Sequence, residues 1–382
     1  MQVQRPHHLR RLTQLLQASP VVALLGARQI GKSTLARQLV AARSGSTTWF
    51  DLEDPADLAR LADPGLELPR LRGLVVLDEI QRLPEVFPLL RVLADRPRAP
   101  ARFLVLGSAS PELLRQTSET LAGRVAFHDL DGFGLRDVRD IDRLWLRGGF
   151  PRSYVARSSG ESRRWRDDFI RTFLERDLPA FGNPLPSVTM RRFWTMLAHW
   201  HGQLWNAAEF ARSFGVSHTT VGRYLDLLTS HFVVRQVRPW FENVRKRQVR
   251  SPKVYIADSG ILHALLDLND RETLASHPKV GASWEGFVIQ QIVHATGKRT
   301  EDYYHWSTYT GAELDLFAIL GGHRYGFEIK RTSAPRLTPS MRSALETLEL
   351  HRLYVVYPGD RQFRMAESVE ALPVSRLLDE LS

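Results

Sequence analysis

Residues 26–33, Gly26-Ala27-Arg28-Gln29-Ile30-Gly31-Lys32-Ser33, place two glycines, a lysine and a hydroxyl at the G-x-x-x-x-G-K-[ST] spacing, and Thr34 follows. Backbone N–H groups of such a loop can turn inward and cradle phosphate oxygens, helped by the N-terminus of the helix that follows. The residue types then divide the work on ATP: Lys32 spans the β- and γ-phosphates and the Ser33 hydroxyl holds Mg²⁺. A second half of the site is expected in Leu77-Asp78-Glu79, at the end of the apolar run GLVVLD. Asp78 is placed for the magnesium shell, and Glu79 for polarising the attacking water.

Three further constellations could do chemistry. In GSAS (107–110), Ser108 or Ser110 could touch the γ-phosphate or the water, while Ser110 before Pro111 and Glu112 equally suits a helix cap. Arg124 in LAGR is a candidate arginine finger for a neighbouring subunit. In the last third of the chain, Glu285 falls in a helical pattern, Asp315 in GAELDLF, and Glu328 with Lys330 in GFEIK. Asp315 and Glu328 fall near the ends of adjacent apolar strands with Gly321-Gly322 between them, and Glu328 and Lys330, two apart, share a face. Such a face would gather carboxylates for Mg²⁺ and an ammonium beside a scissile phosphate. An ordinary αβ domain with scattered surface charges would read the same way.

The elements that must position these residues follow from periodicity. Strands are expected at 21–25, 48–50, 73–78 and 102–107, alternating with helices, which argues for a parallel α/β sheet. Residues 161–200 read as helical with a break at 181–187. Segment 206–237 reads as helix, turn at Gly215, helix and strand, with Ser217, His218, Thr219, Thr220 and Arg223 on the outer face of the second helix. The basic stretch after it, with Arg245, Lys246 and Arg247, resembles a wing. Across 206–255, Arg212, Arg223, Arg235, Arg238, Arg245, Lys246, Arg247, Arg250 and Lys253 outnumber Glu209, Asp226 and Glu242, a surplus suited to DNA phosphates. The same helix pair could instead serve packing or dimerisation. Domains are expected at 1–150, 151–205 (a helical lid), 206–255 and 256–382.

Composition narrows the classes. A net charge of +10 suggests a polyanionic partner, although only six lysines occur and arginine supplies the rest. There is no cysteine, which excludes disulfides, thiolate metal sites and cysteine nucleophiles. No apolar run approaches the roughly 20 residues of a membrane span, and the N-terminus lacks a signal-peptide pattern. A cytoplasmic protein without a membrane partner is therefore expected.

GARQIGKSTL, LDEIQRLP, LGSAS, LAGR, GGFP, FLERDLP, GAELDLF and FEIK together resemble the AAA+-type P-loop ATPases that carry a C-terminal DUF4143 domain, over nearly the whole chain. The resemblance implies an α/β, parallel-sheet ATPase domain with a helical lid, a winged helix, and a C-terminal fold similar to PD-(D/E)xK nucleases. It supports Lys32, Ser33, Asp78 and Glu79 at the nucleotide, Glu285, Asp315, Glu328 and Lys330 in the nuclease-like core, and Arg124 as the finger. The function expected is an ATP-hydrolysing, Mg²⁺-dependent DNA-processing protein, a motor or remodeller on branched or single-stranded DNA. It would assemble as a homo-oligomer, a hexameric ring being one form, with no small-molecule substrate besides ATP. The alternatives are an ATP-dependent switch whose C-terminal modules bind protein, and an ATP-gated DNA-binding regulator.

Overall fold

The computed structural model describes residues 3–97, 101–108, 120–180, 185–241 and 251–381. They form two compact units. The first is Met1–Gly132 with Ser230–Phe232, and the second is Phe133–Thr229 with Val233–Ser382.

In the first unit, strands β1 (Val21–Gly26), β2 (Thr47–Asp51), β3 (Gly73–Asp78), β4 (Ala101–Ser108) and β5 (Val125–Asp129) make a parallel sheet in the order β2–β3–β4–β1–β5. β1, β3 and β4 are almost wholly buried, so they read as continuous apolar runs rather than alternating ones. Phe50, Leu77, Phe87, Leu90 and Phe103, all at most 1% exposed, lie in one core cluster. Four strands agree with the sequence reading. β5 was not foreseen, because its VAFHD sequence is half polar and only partly buried.

The expected boundary near 150 differs from the observed division at Gly132. Residues 133–150 are tied into the second unit by backbone and side-chain bonds. Phe133 N–H donates to the Gly149 carbonyl (2.7 Å), Leu135 N–H to Gln291 (3.1 Å), and Gly149 N–H to Asp258 (2.7 Å). The buried Arg166 guanidinium donates to the Gly260 carbonyl at 2.9 Å and fixes the same corner.

In the second unit, helices Ile141–Arg147, Ser159–Thr172 and Ser187–His199 precede the helix pair Ala207–Phe214 and His218–Ser230. Strands β6 (Gln203–Leu204), β7 (Val234–Pro239) and β8 (Lys253–Ile256) pair antiparallel in the order β7–β8–β6. Helix, β6, two helices, β7 and β8 is the layout of a winged helix. Its first helix is Ser187–His199, which the sequence reading had assigned to a lid. That helix buries Phe193 against Phe210 (5.5 Å) and Tyr224 (5.4 Å) of the following two.

The rest of the unit adds β9 (Tyr303–Ser307), β10 (Glu313–Leu320), β11 (His323–Ile329), β12 (Arg352–Tyr357), β13 (Phe363–Ala366) and β14 (Val369–Pro373). β10 and β11 meet through Gly321-Gly322, both with positive φ (57° and 84°), as a two-residue hairpin requires. β7 pairs in parallel with β9, Arg238 opposite Tyr304 and Pro239 opposite His305. Winged helix and C-terminal region thus share one nine-stranded sheet, β13–β14–β12–β11–β10–β9–β7–β8–β6.

Candidate nucleotide, DNA and carboxylate sites

The glycine loop leaves the carboxyl end of β1 and enters the helix Lys32–Ala41. A Cβ on Gly26 would stand 2.3 Å from the Leu130 carbonyl oxygen, so only glycine fits that close approach. Ala27 and Ile30 are buried and anchor the loop, whereas Gln29 and Thr34 are exposed at its rim. Arg28 pairs with Glu53 at 3.2 Å. The buried Lys32 ammonium donates to the carbonyls of Gly26 and Ala27, both at 3.0 Å, and burial lowers its pKa despite Glu79 and Asp78 nearby.

β4 lies between β1 and β3 and brings Ser108 level with Gly26. Ser108 is 5% exposed, and its Oγ has no hydrogen-bond partner among the described residues. Ser110 lies outside them. At the end of β3, burial raises the Asp78 carboxyl to about 6, against a hydrogen bond from Ser33 that favours its charged form. A hydroxyl bonded to a buried carboxylate is a donor pair that suits Mg²⁺, so the residues present fit the ion. Glu79 adopts φ 57°, a left-handed conformation uncommon outside glycine and found at strained functional positions. Its carboxylate accepts a hydrogen bond from Gln81, a positioning contact that the sequence reading did not single out although LDEIQ contains it. Arg124 precedes β5, at the end of the sheet opposite the loop, and grips Asp95 through two bonds of 2.5 and 2.8 Å.

On the winged helix, Ser217, His218, Thr219 and Arg223 are exposed, while Val221, Tyr224, Leu225 and Leu228 face inward. Ser217 Oγ accepts the Thr220 N–H at 3.1 Å and also bonds the Thr220 hydroxyl at 2.9 Å, so this pair caps the helix. Arg245, Lys246 and Arg247 lie outside the described residues. Two of the cations counted toward DNA require correction. Arg235 is buried and donates to Gln290, and Lys253 is buried in β8. Lys253 lies on β8, which is buried along its whole length, and Arg235 in the buried start of β7.

The four residues expected in the C-terminal core come together, joined by two more. Glu285 stands on the helix Val280–Thr296, Asp315 on β10, Glu328 on β11, and Lys330 just beyond it. Asp315 Oδ2 accepts the Ile329 N–H at 2.8 Å, and Lys330 Nζ lies 2.6 Å from Glu328 Oε1. Lys253 Nζ lies 3.4 Å from Glu285 Oε1 and 3.5 Å from Asp315 Oδ1, and the Tyr255 hydroxyl donates to Glu285 at 2.5 Å. Gly286 lets the helix approach this closely, since a Cβ there would stand 2.5 Å from His201 Nε2. Burial pushes Glu285 up to about 7 and Glu328 up to about 8; Lys253 and Lys330 respectively oppose the rise, and Asp315 adds to both. Burial would depress Lys253, but Glu285, Tyr255 and Asp315 outweigh it and hold the ammonium protonated. A groove of about 660 Å³, lined by Trp200, Trp205, Lys253, Glu285, Glu313 and Asp315 among others, opens onto the cluster. No helix among the described residues is long and apolar enough to cross a membrane.

Residues 18–138 match an AAA domain model, residues 138–272 a domain of unknown function (DUF8612), and residues 280–377 a domain of unknown function (DUF4143). The chain is 53% identical over 380 residues to "Uncharacterized protein Rv2008c" of Mycobacterium tuberculosis, spanning 99% of this chain and 85% of the relative. The same figures hold for "Uncharacterized protein Mb2031c" of Mycobacterium bovis. Among solved structures it is similar to the Walker-type ATPase paby2304 of Pyrococcus abyssi, with TM-score 0.49 and 16% identity over 69% of this chain and 96% of that one. With the glycine loop and the Asp78–Glu79 strand end inside the AAA match, the chain is a nucleotide-binding ATPase. It belongs to the family of AAA-type P-loop ATPases with a C-terminal DUF4143 domain that includes the mycobacterial Rv2008c protein.

Proposed function

We propose that this ATPase couples hydrolysis at the glycine loop to the handling of DNA held by its winged helix. The observation that carries the reading is the outer face of helix His218–Ser230, where His218, Thr219 and Arg223 stand exposed on the side a major groove would meet. At the loop, Lys32 would leave its two carbonyl partners for the β- and γ-phosphates. Ser33 and Asp78 would hold Mg²⁺, which neutralises charge developing on the phosphates. Glu79, steadied by Gln81, would take the proton of the attacking water, and the Ser108 hydroxyl would turn to the γ-phosphate or that water. Lys330, whose side chain is 39% exposed, would offer a further phosphate contact. Homo-oligomerisation belongs to this reading; Arg124 is left to its Asp95 pair.

The protein-binding switch is the second reading, favoured by the burial of Arg235 and Lys253, which removes two cations from any DNA surface. Steady-state ATPase rates with and without duplex, single-stranded and four-way-junction DNA separate the two, with Lys32→Ala as the control. Stimulation by DNA that fades steeply with salt supports the proposal. A real rate blind to every DNA, together with no DNA affinity at low salt, sinks it in favour of the switch.

A further inference from the structure

A PD-(D/E)xK-like fold leads one to expect a divalent ion among Glu285, Asp315 and Glu328, and the residues present do not fit one. We propose that the Lys253 ammonium is the resident cation of this carboxylate cluster, so that the nuclease-like site binds a divalent metal only once that charge is removed.

Four of the six carboxylate oxygens are already committed. Glu285 Oε1 and Asp315 Oδ1 converge on the same Nζ, 3.4 and 3.5 Å away. The second oxygen of Asp315 holds the Ile329 N–H at 2.8 Å, and Glu285 Oε1 also accepts the Tyr255 hydroxyl. Glu328 Oε1 is taken by Lys330 at 2.6 Å. Magnesium demands near-octahedral oxygens at about 2.0–2.1 Å and tolerates little distortion. Among the described residues, no group of three or more histidine, cysteine or acidic side chains is arranged to hold a metal. Two ammoniums face three carboxylates, so a divalent ion brought to the cluster would meet Lys253 as a like charge between the two oxygens it most needs.

The source of the lysine explains the arrangement. Lys253 opens β8, the last strand of the winged helix, and stands 62 residues before Asp315 in sequence. β8 belongs to the same sheet as the C-terminal strands, joined to them through the pairing of β7 with β9. Lys253→Met keeps the apolar stem and removes the charge, leaving Glu285, Asp315 and Glu328 Oε2, which has no hydrogen-bond partner among the described residues, available.

The test counts Mn²⁺ bound per full-length chain without nucleotide, by electron paramagnetic resonance. Terbium luminescence, sensitised by Trp200 and Trp205 in the groove, reports the location. Wild type and Asp315→Asn should bind the same number of ions. Lys253→Met should bind one more per chain, and Lys253→Met/Asp315→Asn should lose it again. A bound ion that wild type has and Asp315→Asn lacks overturns the proposal, whatever the lysine variants do. So does a folded Lys253→Met that gains no ion. Lys253→Gln replaces Lys253→Met should the latter fail to melt cooperatively, and the wild-type comparison stands without either.

Discussion

Lys32 and Lys253 are both buried lysines with carboxylates close by, and their hydrogen bonds go to different places. Lys32 lies against the backbone carbonyls of Gly26 and Ala27, and Asp78 is bonded, among the described residues, to neutral donors, the Ser33 hydroxyl and the Glu79 N–H. Lys253 lies against the carboxylates themselves, between Glu285 and Asp315. A lysine parked on weak, neutral acceptors can move to an incoming phosphate at modest cost. One paired with two buried carboxylates cannot leave without stranding them. The first arrangement is poised for a ligand, and the second is complete without one.

The largest effect should come from the poised lysine. Lys32→Ala should lower the ATPase kcat by at least about 10²-fold, the scale for removing a preorganised charge partner from a transition state. A melting curve should show the fold intact, because Lys32 gives up only two carbonyl contacts. Retained activity would erase the contrast. For the other lysine the effect belongs to stability. Lys253→Ala should destabilise the second unit by about 3–5 kcal/mol, as stranding one side of a buried ion pair does. At about 2–4 °C per kcal/mol for a unit of this size, calorimetry should see a clear drop in melting temperature. An unchanged melting temperature would make Lys253 as dispensable to folding as Lys32.

A smaller, pH-dependent effect sharpens the comparison. Burial, with Asp315 beside it, raises Glu328 from its ordinary 4.5 to about 8, so the native state binds this proton more tightly than the unfolded chain. Stability therefore falls as pH rises through that window. Glu285, pushed up to about 7, acts in the same direction. The buried His201, His263 and His305, lowered by burial to about 3, 4 and 4, act oppositely, but only below the ordinary imidazole value of 6.5. Between pH 6.5 and 8 the wild-type melting temperature should thus decline by a few degrees more than that of Glu328→Gln. Equal slopes would mean that the carboxylates stay ionised and metal-ready throughout. The smallest change is expected at Arg124, whose two bonds go to an exposed Asp95. Arg124→Ala should leave kcat within about twofold, since such surface pairs contribute little. A fall of about 10³-fold or more would instead reinstate the finger supplied to a neighbour.

What was legible in the sequence divides along the same line. Phosphate-binding chemistry is contiguous, so Gly26 to Ser33 and Asp78-Glu79 could be read directly, and three of the five strands around them, β1, β3 and β4, are nearly unbroken apolar runs. Glu285, Asp315, Glu328 and Lys330 were readable as candidates because apolar residues flank each of them in the sequence. Lys253 was not, since its partners lie 32 and 62 residues away and nothing in RSPKVYI distinguishes an inward lysine from a solvated one. It was counted with the DNA-facing cations for that reason, as was Arg235. The first winged-helix element was merged with the helices before it because helical periodicity alone carries no domain label. Likewise β5, half polar, offered no signal until β1 supplied its partner.

The short parallel pairing of β7 with β9 bears on how the chain can be divided. It comprises two residue pairs and the Trp240 N–H bond to the His305 carbonyl, with the Trp240 ring packed 4.9 Å from Tyr304 and 4.7 Å from Phe317. A fragment beginning at residue 280, where the DUF4143 match starts, would bare the hydrogen-bonding edge of β9. It would also expose Phe317, which is fully buried in the whole chain. An uncovered strand edge beside apolar rings is a template for chain-to-chain pairing. The fragment should therefore aggregate, while one beginning at Phe133 keeps the sheet whole.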